Sequence, residues 1–232
     1  MFLRPAGLIV VASALSLAAP HAAAAADQTY RAHWSLDEVG SATAFDSSGN
    51  GNNGTNDNIV GDGNGYLFNG TDSRVIVPTS GSLNPGSADF SWSVTLSMSA
   101  PPSPVGETYD VLRKGLVTNK GGDYKFEVKN VKGKALARCV AKTVRADGTK
   151  VLASIQGTRT LADGQPHVVT CLKTSISITI RVDSLAPRTK TYVGGLGSVS
   201  NTADLALGAK AESTATTGFD WFKGEIFDAW VA

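Results

Sequence analysis

Hydrophobic and polar residues alternate with a period of two along most of the chain. In the stretch SWSVTLSMS, Trp92, Val94, Leu96 and Met98 occupy every second position, with serine and threonine between them. Successive side chains of a β-strand point to opposite faces, so this pattern predicts a strand with one buried face and one wetted face. The stretch SISITIRV, residues 175–182, repeats the pattern.

Shorter runs of the same kind predict further strands. These runs are RAHWSL (31–36), YLFNG (66–70), SRVIVP (73–78), DYKFEVK (123–129), ALARCVAKT (135–143), PHVVTCLKT (166–174), KTYVG (190–194), DLALGA (204–209) and GEIFDAWVA (224–232). Turn-forming residues separate them, and the Pro-rich segment 99–110 is predicted to be a long loop at the rim. Many short strands at close spacing predict an all-β fold, a sandwich of two antiparallel sheets.

The first 26 residues have a different character. An apolar run over residues 6–19 is followed by small residues that end in an A-x-A pattern at Ala26. This arrangement predicts a secretory signal peptide, residues 1–26, cut after Ala26. A membrane anchor is the alternative, but it needs about 20 unbroken apolar residues, and Pro20 interrupts the run. We therefore expect residues 27–232 to form a single secreted domain, with no membrane partner after signal removal.

The charges of the chain are almost balanced. The sequence holds 21 lysines and arginines against 20 aspartates and glutamates, for a formal net charge of +1. Nucleic acids and anionic membranes are usually bound by basic patches, which such a balance does not predict. No nucleic-acid partner is expected.

Two cysteines occur, Cys139 and Cys171. In an exported chain a disulfide is the economical interpretation. A metal pair and a catalytic thiol are the alternatives, but neither cysteine has a His, Asp or second Cys at ligand spacing. Both cysteines lie within predicted strands, and Ala137 and Ala141 are small neighbours on the face of Cys139. A bridge is therefore feasible if the two Cα atoms come within about 7 Å.

The stretch FDSSGNGNNGT, residues 45–55, partly follows the calcium loop of an EF-hand. Asp46, Ser48, Asn50 and Gly51 stand at its first, third, fifth and sixth positions. Strand-like stretches flank the loop, so the two helices of an EF-hand are missing and that interpretation is excluded. Asp46 and Asn50 are then expected either to cap turns or to lend oxygens to one calcium ion.

The order of four stretches carries a family resemblance. They are YRAHWSLDEVGSATAFDSSGNGNNGT (30–55), YLFNGTDSRVIVPTSGSLNPGSADFSWSVTL (66–96), DGQPHVVTCLKTSISITIRVDS (163–184) and ALGAKAESTATTGFDWFKGEIFDAWVA (206–232). Together they resemble secreted laminin-G-like (LamG) domains of the concanavalin A-like lectin/glucanase superfamily, over nearly all of residues 29–232. The resemblance implies a jelly-roll sandwich whose first and last strands pair and whose curved sheet can bind a glycan.

The resemblance also bears on the calcium loop. Many members of the superfamily hold a structural Ca²⁺ near the first loop, with an Asp of the closing strand among its ligands. In this chain Phe227 stands at the usual Asp position, and Asp228 follows it. The candidate ligands of one structural Ca²⁺ are therefore Asp46, Asn50 and Asp228.

The residue patterns of enzymes with this fold are missing. The sequence lacks the E-x-D-x-x-E strand of the superfamily's glycoside hydrolases and the R-x-E-L-R and Q-I-H signatures of its polysaccharide lyases. Glu225 and Asp228 are three residues apart, which predicts opposite faces of a strand. His33 and His167 lie in neither a G-x-S-x-G nor an H-E-x-x-H setting. A glycoside hydrolase or a polysaccharide lyase is the least favoured alternative, and we predict no enzyme.

Binding is the favoured function. Aromatic rings stack on sugars, and the candidate ligand-binding residues in turn-rich segments are Tyr109, Tyr124 and Trp221. The remaining tryptophans lie in alternating strands and are predicted to be core residues: Trp34, Trp92 and Trp230. We expect a secreted, non-catalytic module that binds carbohydrate or another extracellular ligand. A structural or protein-interaction module without a glycan site is the alternative.

Overall fold

A computed structural model describes residues 29–116, 118–210 and 220–232. The predicted signal peptide, residues 1–26, lies outside the described residues. Nothing within the described ranges forms a helix with the length and apolar character that a membrane span requires.

The described residues form short antiparallel strands throughout. The strands are β1 (Ala32–Trp34), β2 (Thr43–Ala44), β3 (Gly54–Asp57), β4 (Val60–Gly61), β5 (Tyr66–Asn69), β6 (Arg74–Val77), β7 (Phe90–Ser97), β8 (Thr108–Lys114), β9 (Asp123–Val131), β10 (Lys134–Val144), β11 (Lys150–Thr160), β12 (His167–Lys173), β13 (Ser177–Val182), β14 (Arg188–Thr191), β15 (Leu205–Leu207) and β16 (Lys223–Val231).

These strands build two sheets that face each other. Sheet A has the order β14-β13-β12-β7-β16-β5-β4, with β1 also paired to β16. Sheet B has the order β11-β10-β9-β8-β15-β6-β3-β2. The two-sheet antiparallel sandwich predicted from the alternation is therefore confirmed.

The core lies between the sheets and is built from the apolar positions of the alternating strands. Its centre is an aromatic cluster of Phe90 and Trp92 from sheet A and Tyr124 from sheet B, with ring centroids 5.0 to 5.5 Å apart. Trp34 and Trp92 are fully buried, as predicted. Trp230 is only partly buried and packs against Tyr30, with ring centroids 5.6 Å apart, so its assignment to the core is wrong.

The disulfide is confirmed and joins the two sheets. Cys139 on β10 and Cys171 on β12 are bonded, and their Cα atoms are 5.7 Å apart. Sheets usually pack about 10 Å apart, so the backbones approach closely here. Buried small residues on the inner face of β10 and β11, including Ala137, Ala141 and Ala153, leave room for that approach.

Five strands were not predicted, and three of them, β2, β3 and β4, have only two to four residues. The strand β8 begins inside the segment assigned to a rim loop, residues 99–110, so that loop is shorter than predicted. The strand β11 buries only two residues, Ala153 and Gly157, and both are small. The side chain of Val182 lies close against Gly157, so a larger residue would not fit there without a shift of Val182. The strands β8 and β11 lie in sheet B and help to form the site described next.

The first and last strands pair, as the family resemblance implies. In the antiparallel register Ala32 lies opposite Val231 and Trp34 opposite Ala229. The register of β16 against β7 shifts between Ile226 and Asp228, which is a β-bulge at Phe227.

Candidate functional site

The outer face of sheet B carries a row of charged side chains across three neighbouring strands. We call these residues the charge ladder; its members are Asp110 and Arg113 on β8, Lys125 and Glu127 on β9, and Arg138 on β10. They occupy the alternate positions to the core residues of the same strands, so they point away from sheet A.

The strand register brings the ladder residues side by side. Asp110 lies opposite Glu127, and Glu127 lies opposite Arg138. One step along the strands, Arg113 lies opposite Lys125. A bulge between Asp110 and Leu112 lets β8 place both Asp110 and Arg113 on the outer face.

Ion pairs connect the ladder into one network. Asp110 accepts hydrogen bonds from Arg113 Nη1 at 2.7 Å and from Lys125 Nζ at 2.9 Å. Lys125 also pairs with Glu127, and Arg138 Nη1 donates to Glu127 Oε1 at 3.0 Å. Each carboxylate therefore holds two cations, which fixes the rotamers of all five side chains.

The ladder has a buried layer and an accessible layer. The side chains of Asp110 and Glu127 are 0% and 3% exposed, whereas that of Arg138 is 29% exposed. The aliphatic stems of lysine and arginine side chains can cover apolar surface, and Val140 on this face is buried. Beyond Arg138, the partly exposed Gln156 on β11 extends the polar row.

An apolar patch adjoins the ladder on its other side. Ile76 and Ala206 lie in register on β6 and β15, and Ala206 lies opposite Arg113. Together with Ala209 they form a small hydrophobic cluster, separate from the core, on which Trp221 packs. The face thus offers an aromatic ring at one end of a row of fixed hydrogen-bonding groups.

The residue before Trp221 has an uncommon backbone conformation. Asp220 has a φ of 60°, a left-handed value that favours glycine, and its carbonyl accepts the amide hydrogen of Asp110 at 2.8 Å. Burial raises the pKa of the Asp220 carboxyl, and the neighbouring Asp110 raises it further. Strained residues of this kind occur often at binding sites.

The three predicted ligand-binding aromatic residues have different positions. Trp221 lies on the outer face of sheet B. Tyr109 is partly buried and packs edge-on against Phe222 at a centroid distance of 6.0 Å, at the rim of the core. Tyr124 is fully buried and donates to the carbonyl of Leu83, so its assignment as a ligand-binding residue is wrong.

The carboxylate of Asp46 organises the loop that was predicted to hold calcium. Its Oδ1 accepts the amide hydrogens of His33 and Ser48, both at 2.9 Å. Its Oδ2 accepts the amide hydrogen of Asn52 at 2.8 Å and the hydroxyl of Ser48 at 2.9 Å. Four donors already surround both oxygens, and a bound cation would have to replace them.

The other two predicted calcium ligands are also engaged elsewhere. The side-chain amide of Asn50 donates hydrogen bonds to the carbonyls of Tyr30 and Arg31, and the carboxylate of Asp228 is hydrogen-bonded to the imidazole of His33. In the described part of the chain, no group of three or more His, Cys, Asp and Glu side chains is placed to hold a metal ion. The residues present therefore do not fit the calcium ion that the family resemblance implies.

The sequence pattern did not predict the charge ladder, although one strand carries a signal for it. In DYKFEVK the charged residues Asp123, Lys125 and Glu127 alternate with the core residues Tyr124 and Phe126. By itself, that alternation indicates only a strand with one face exposed to solvent. Burial of the charges depends on partners from β8 and β10, which the pattern of a single strand does not show.

Solved structures show what the chain is similar to. No family model and no curated protein matches it. The binding domain of botulinum neurotoxin serotype G has a TM-score of 0.58 at 14% identity and matches 88% of this chain and 47% of its own. Domain 4 of AbnA, a GH43 extracellular arabinanase from Geobacillus stearothermophilus in complex with arabinotriose, has a TM-score of 0.55 at 15% identity, with coverages of 88% and 91%.

A third similar structure bears on the family resemblance. Mouse laminin alpha1 chain, domains LG4-5, has a TM-score of 0.50 at 11% identity and matches 74% of this chain and 42% of its own. The chain spans about half the length of the toxin domain and less than half of the laminin pair. At these identities the similarity shows the fold alone, a sandwich consistent with the concanavalin A-like architecture.

Proposed function

We propose that this protein is a secreted module of laminin-G-like type, and that the outer face of its sheet B is a non-catalytic site that binds carbohydrate. The observation that carries the proposal is the placement of Trp221 beside the charge ladder on one continuous sheet face. The face runs from β6 to β11 across six strands, or about 24 Å at the usual strand spacing of about 4.8 Å.

The chemistry of this face suits a chain of sugars. The face of the Trp221 indole can stack on a pyranose ring, and the guanidinium of Arg138 and the amide of Gln156 offer hydrogen bonds to hydroxyl groups. The ion pairs hold Arg138 in one position before any ligand arrives. Binding then costs less side-chain entropy than it would at a flexible surface.

The similar structures support a binding role without specifying it. The toxin structure is that of a binding domain, and the AbnA domain was solved in complex with arabinotriose. These statements belong to those proteins. For this chain they make oligosaccharides, with arabinotriose among them, the first ligands to test.

The proposal is tested by a glycan array followed by titration of the binding glycan against intrinsic tryptophan fluorescence. We expect Trp221→Ala to weaken binding about tenfold, because an aromatic contact contributes about 0.5 to 1.5 kcal/mol beyond its buried area. The matched control is Trp230→Ala, which removes a partly exposed tryptophan from the outer face of sheet A and should leave the affinity unchanged.

A failed array has a clear meaning. If no glycan binds to the folded protein, the carbohydrate proposal is wrong and the protein-interaction alternative takes its place. Equal loss of affinity in both tryptophan variants would place the glycan elsewhere than the charge ladder.

A further inference from the structure

Three side chains from distant parts of the sequence form a hydrogen-bonded relay on the outer face of sheet A. The imidazole of His33, on β1, lies between Ser47 and Asp228. Its Nδ1 is 3.0 Å from Ser47 Oγ, and its Nε2 is 2.7 Å from Asp228 Oδ1. We call Ser47, His33 and Asp228 the serine relay.

The sheet positions two members of the relay. In the pairing of β1 with β16, His33 lies opposite Trp230. The bulge at Phe227 turns Asp228 to the outer face, where it lies opposite Thr95 of β7. The same bulge puts Glu225 opposite Ser97 on that face, so the prediction that Glu225 and Asp228 point to opposite faces is wrong.

Backbone hydrogen bonds hold the third member. The carbonyl of His33 accepts the amide hydrogen of Ser47 at 2.8 Å, and the amide of His33 donates to Asp46. The ring of Tyr30 stacks on the imidazole at a centroid distance of 4.6 Å and an interplanar angle of 27°. The serine and the imidazole are thus fixed on neighbouring backbone segments, and the imidazole is held from one side.

The protons of the relay follow from its chemistry. An ionised carboxylate can only accept, so His33 Nε2 carries the hydrogen that Asp228 receives. The lone pair of Nδ1 is then directed at Ser47 Oγ, as required of a general base for a hydroxyl nucleophile. The Ser47 hydroxyl has the carbonyl of His33 as a second acceptor at 3.1 Å.

We propose that Ser47 is a nucleophile activated by His33, with Asp228 as the positioning residue, and that it cleaves small carboxylic esters. Ser47 is exposed, so an unhindered acyl group can reach its Oγ. Oγ bonds to the acyl carbon while its proton moves to Nδ1. The bond between the acyl carbon and the alkoxy oxygen then breaks, and Nδ1 passes the proton to that oxygen, so the alcohol leaves. Water next bonds to the acyl carbon and gives a proton to Nδ1; the bond to Ser47 Oγ breaks, Oγ takes that proton back, and the carboxylic acid is released.

The neighbouring serine provides a matched control. Ser48 also belongs to this loop, but its Oγ donates to Asp46 Oδ2 at 2.9 Å, and no imidazole among the described residues is hydrogen-bonded to it. The two hydroxyls lie on the same loop but face different groups, an imidazole at Ser47 and a carboxylate at Ser48. Ser48 is also the less exposed of the two. Labelling of Ser47 therefore has to depend on His33 as well as on exposure, and the His33→Gln variant separates these two causes.

The test uses an alkyl fluorophosphonate, which forms a phosphorus–oxygen bond with an activated serine and releases fluoride. We expect the intact protein to gain one adduct, mapped to Ser47 by peptide mass, and to hydrolyse a p-nitrophenyl ester. Ser47→Ala should abolish both reactions and Ser48→Ala neither. His33→Gln should slow labelling by about 100-fold or more, the usual contribution of a general base.

The positioning role of Asp228 has its own readout. Asp228→Asn keeps the shape of the side chain but offers Nε2 a neutral oxygen, and we expect a slower labelling rate with an unchanged melting temperature. No adduct, an adduct at Ser48, or equal labelling of the wild type and His33→Gln, both folded by circular dichroism, would overturn the proposal. The serine relay and the charge ladder lie on different sheets, so either proposal can fail alone.

Discussion

At the scale of single residues, Asp46 shows how one sequence pattern fits two physical roles. The same spacing of oxygen-bearing side chains suits a calcium loop and a turn stabilised by its own side chains. Asp46 takes the second role, because amide and hydroxyl hydrogens of His33, Ser48 and Asn52 occupy its oxygens. Of the two roles that the sequence left open for Asp46, the hydrogen bonds of this loop match the stabilised turn.

The carboxylate of Asp46 should make the stability depend on acid. Burial raises the pKa of Asp46, but the hydrogen bonds from His33, Ser48 and Asn52 outweigh it and lower the pKa below the usual value of about 3.9. The stabilisation is then present above that value and is lost as the pH falls through the lower pKa of the folded state. Between pH 6 and pH 2, Asp46→Asn should lose less stability than the wild type in urea denaturation. An equal loss in both proteins would contradict this role.

At the scale of strands, the period of two predicted most elements and failed for β8, which is buried on both faces, and for β11, whose buried positions carry small residues. The strand β9 was predicted because Tyr124, Phe126 and Val128 alternate with charged residues. In β8 the bulge next to Asp110 puts two apolar residues in sequence and buries the charges, so no alternation remains. In β11 the buried positions are Ala153 and Gly157, and residues this small do not give the alternation of large apolar and polar residues that predicts a strand.

The charge ladder should contribute to stability through its buried aspartate. Asp110→Asn removes the charge that Arg113 and Lys125 share, and breaking a buried ion pair costs about 3 to 5 kcal/mol. The control is Asp57→Asn, whose pair with Arg74 is partly exposed and should change stability by about 1 kcal/mol or less. Urea unfolding of both variants measures the difference, and a similar small effect in the two would show that the ladder is not a stabilising network.

At the scale of the whole molecule, the features that sequence alone could not predict are those made by distant strands. His33 and Asp228 are 195 residues apart and meet only because β1 pairs with β16 and β16 carries a bulge. The disulfide was predictable, since a chain with a predicted signal peptide and two cysteines on predicted strands has few alternatives. The sequence did not predict that the disulfide joins the two sheets. The sheets come close enough for the bridge because small residues such as Ala137 and Ala141 line the inner face of β10.

The disulfide should stabilise the sandwich as a whole. Cys139 and Cys171 are separated by 32 residues, and closing a loop of that length in the unfolded chain contributes about 3 to 4 kcal/mol. We expect the free energy of unfolding of the double variant Cys139→Ser, Cys171→Ser to be lower by that amount, and its urea midpoint to be lower as a result. The wild type with reducing agent should behave like the variant. A midpoint unchanged by either treatment would show that the bridge adds nothing to the stability of the fold.

The pairing of the first and last strands also determines how the molecule responds to mechanical force. Because Ala32 lies opposite Val231, tension applied at residue 29 and at residue 232 pulls on adjacent ends of an antiparallel pair. The load then reaches the hydrogen bonds of β1 and β16 one after another, like a zipper, and not all at once in shear. His33 is hydrogen-bonded to Asp228 across the pair of β1 and β16, at the end of the pair where the two strands would separate first.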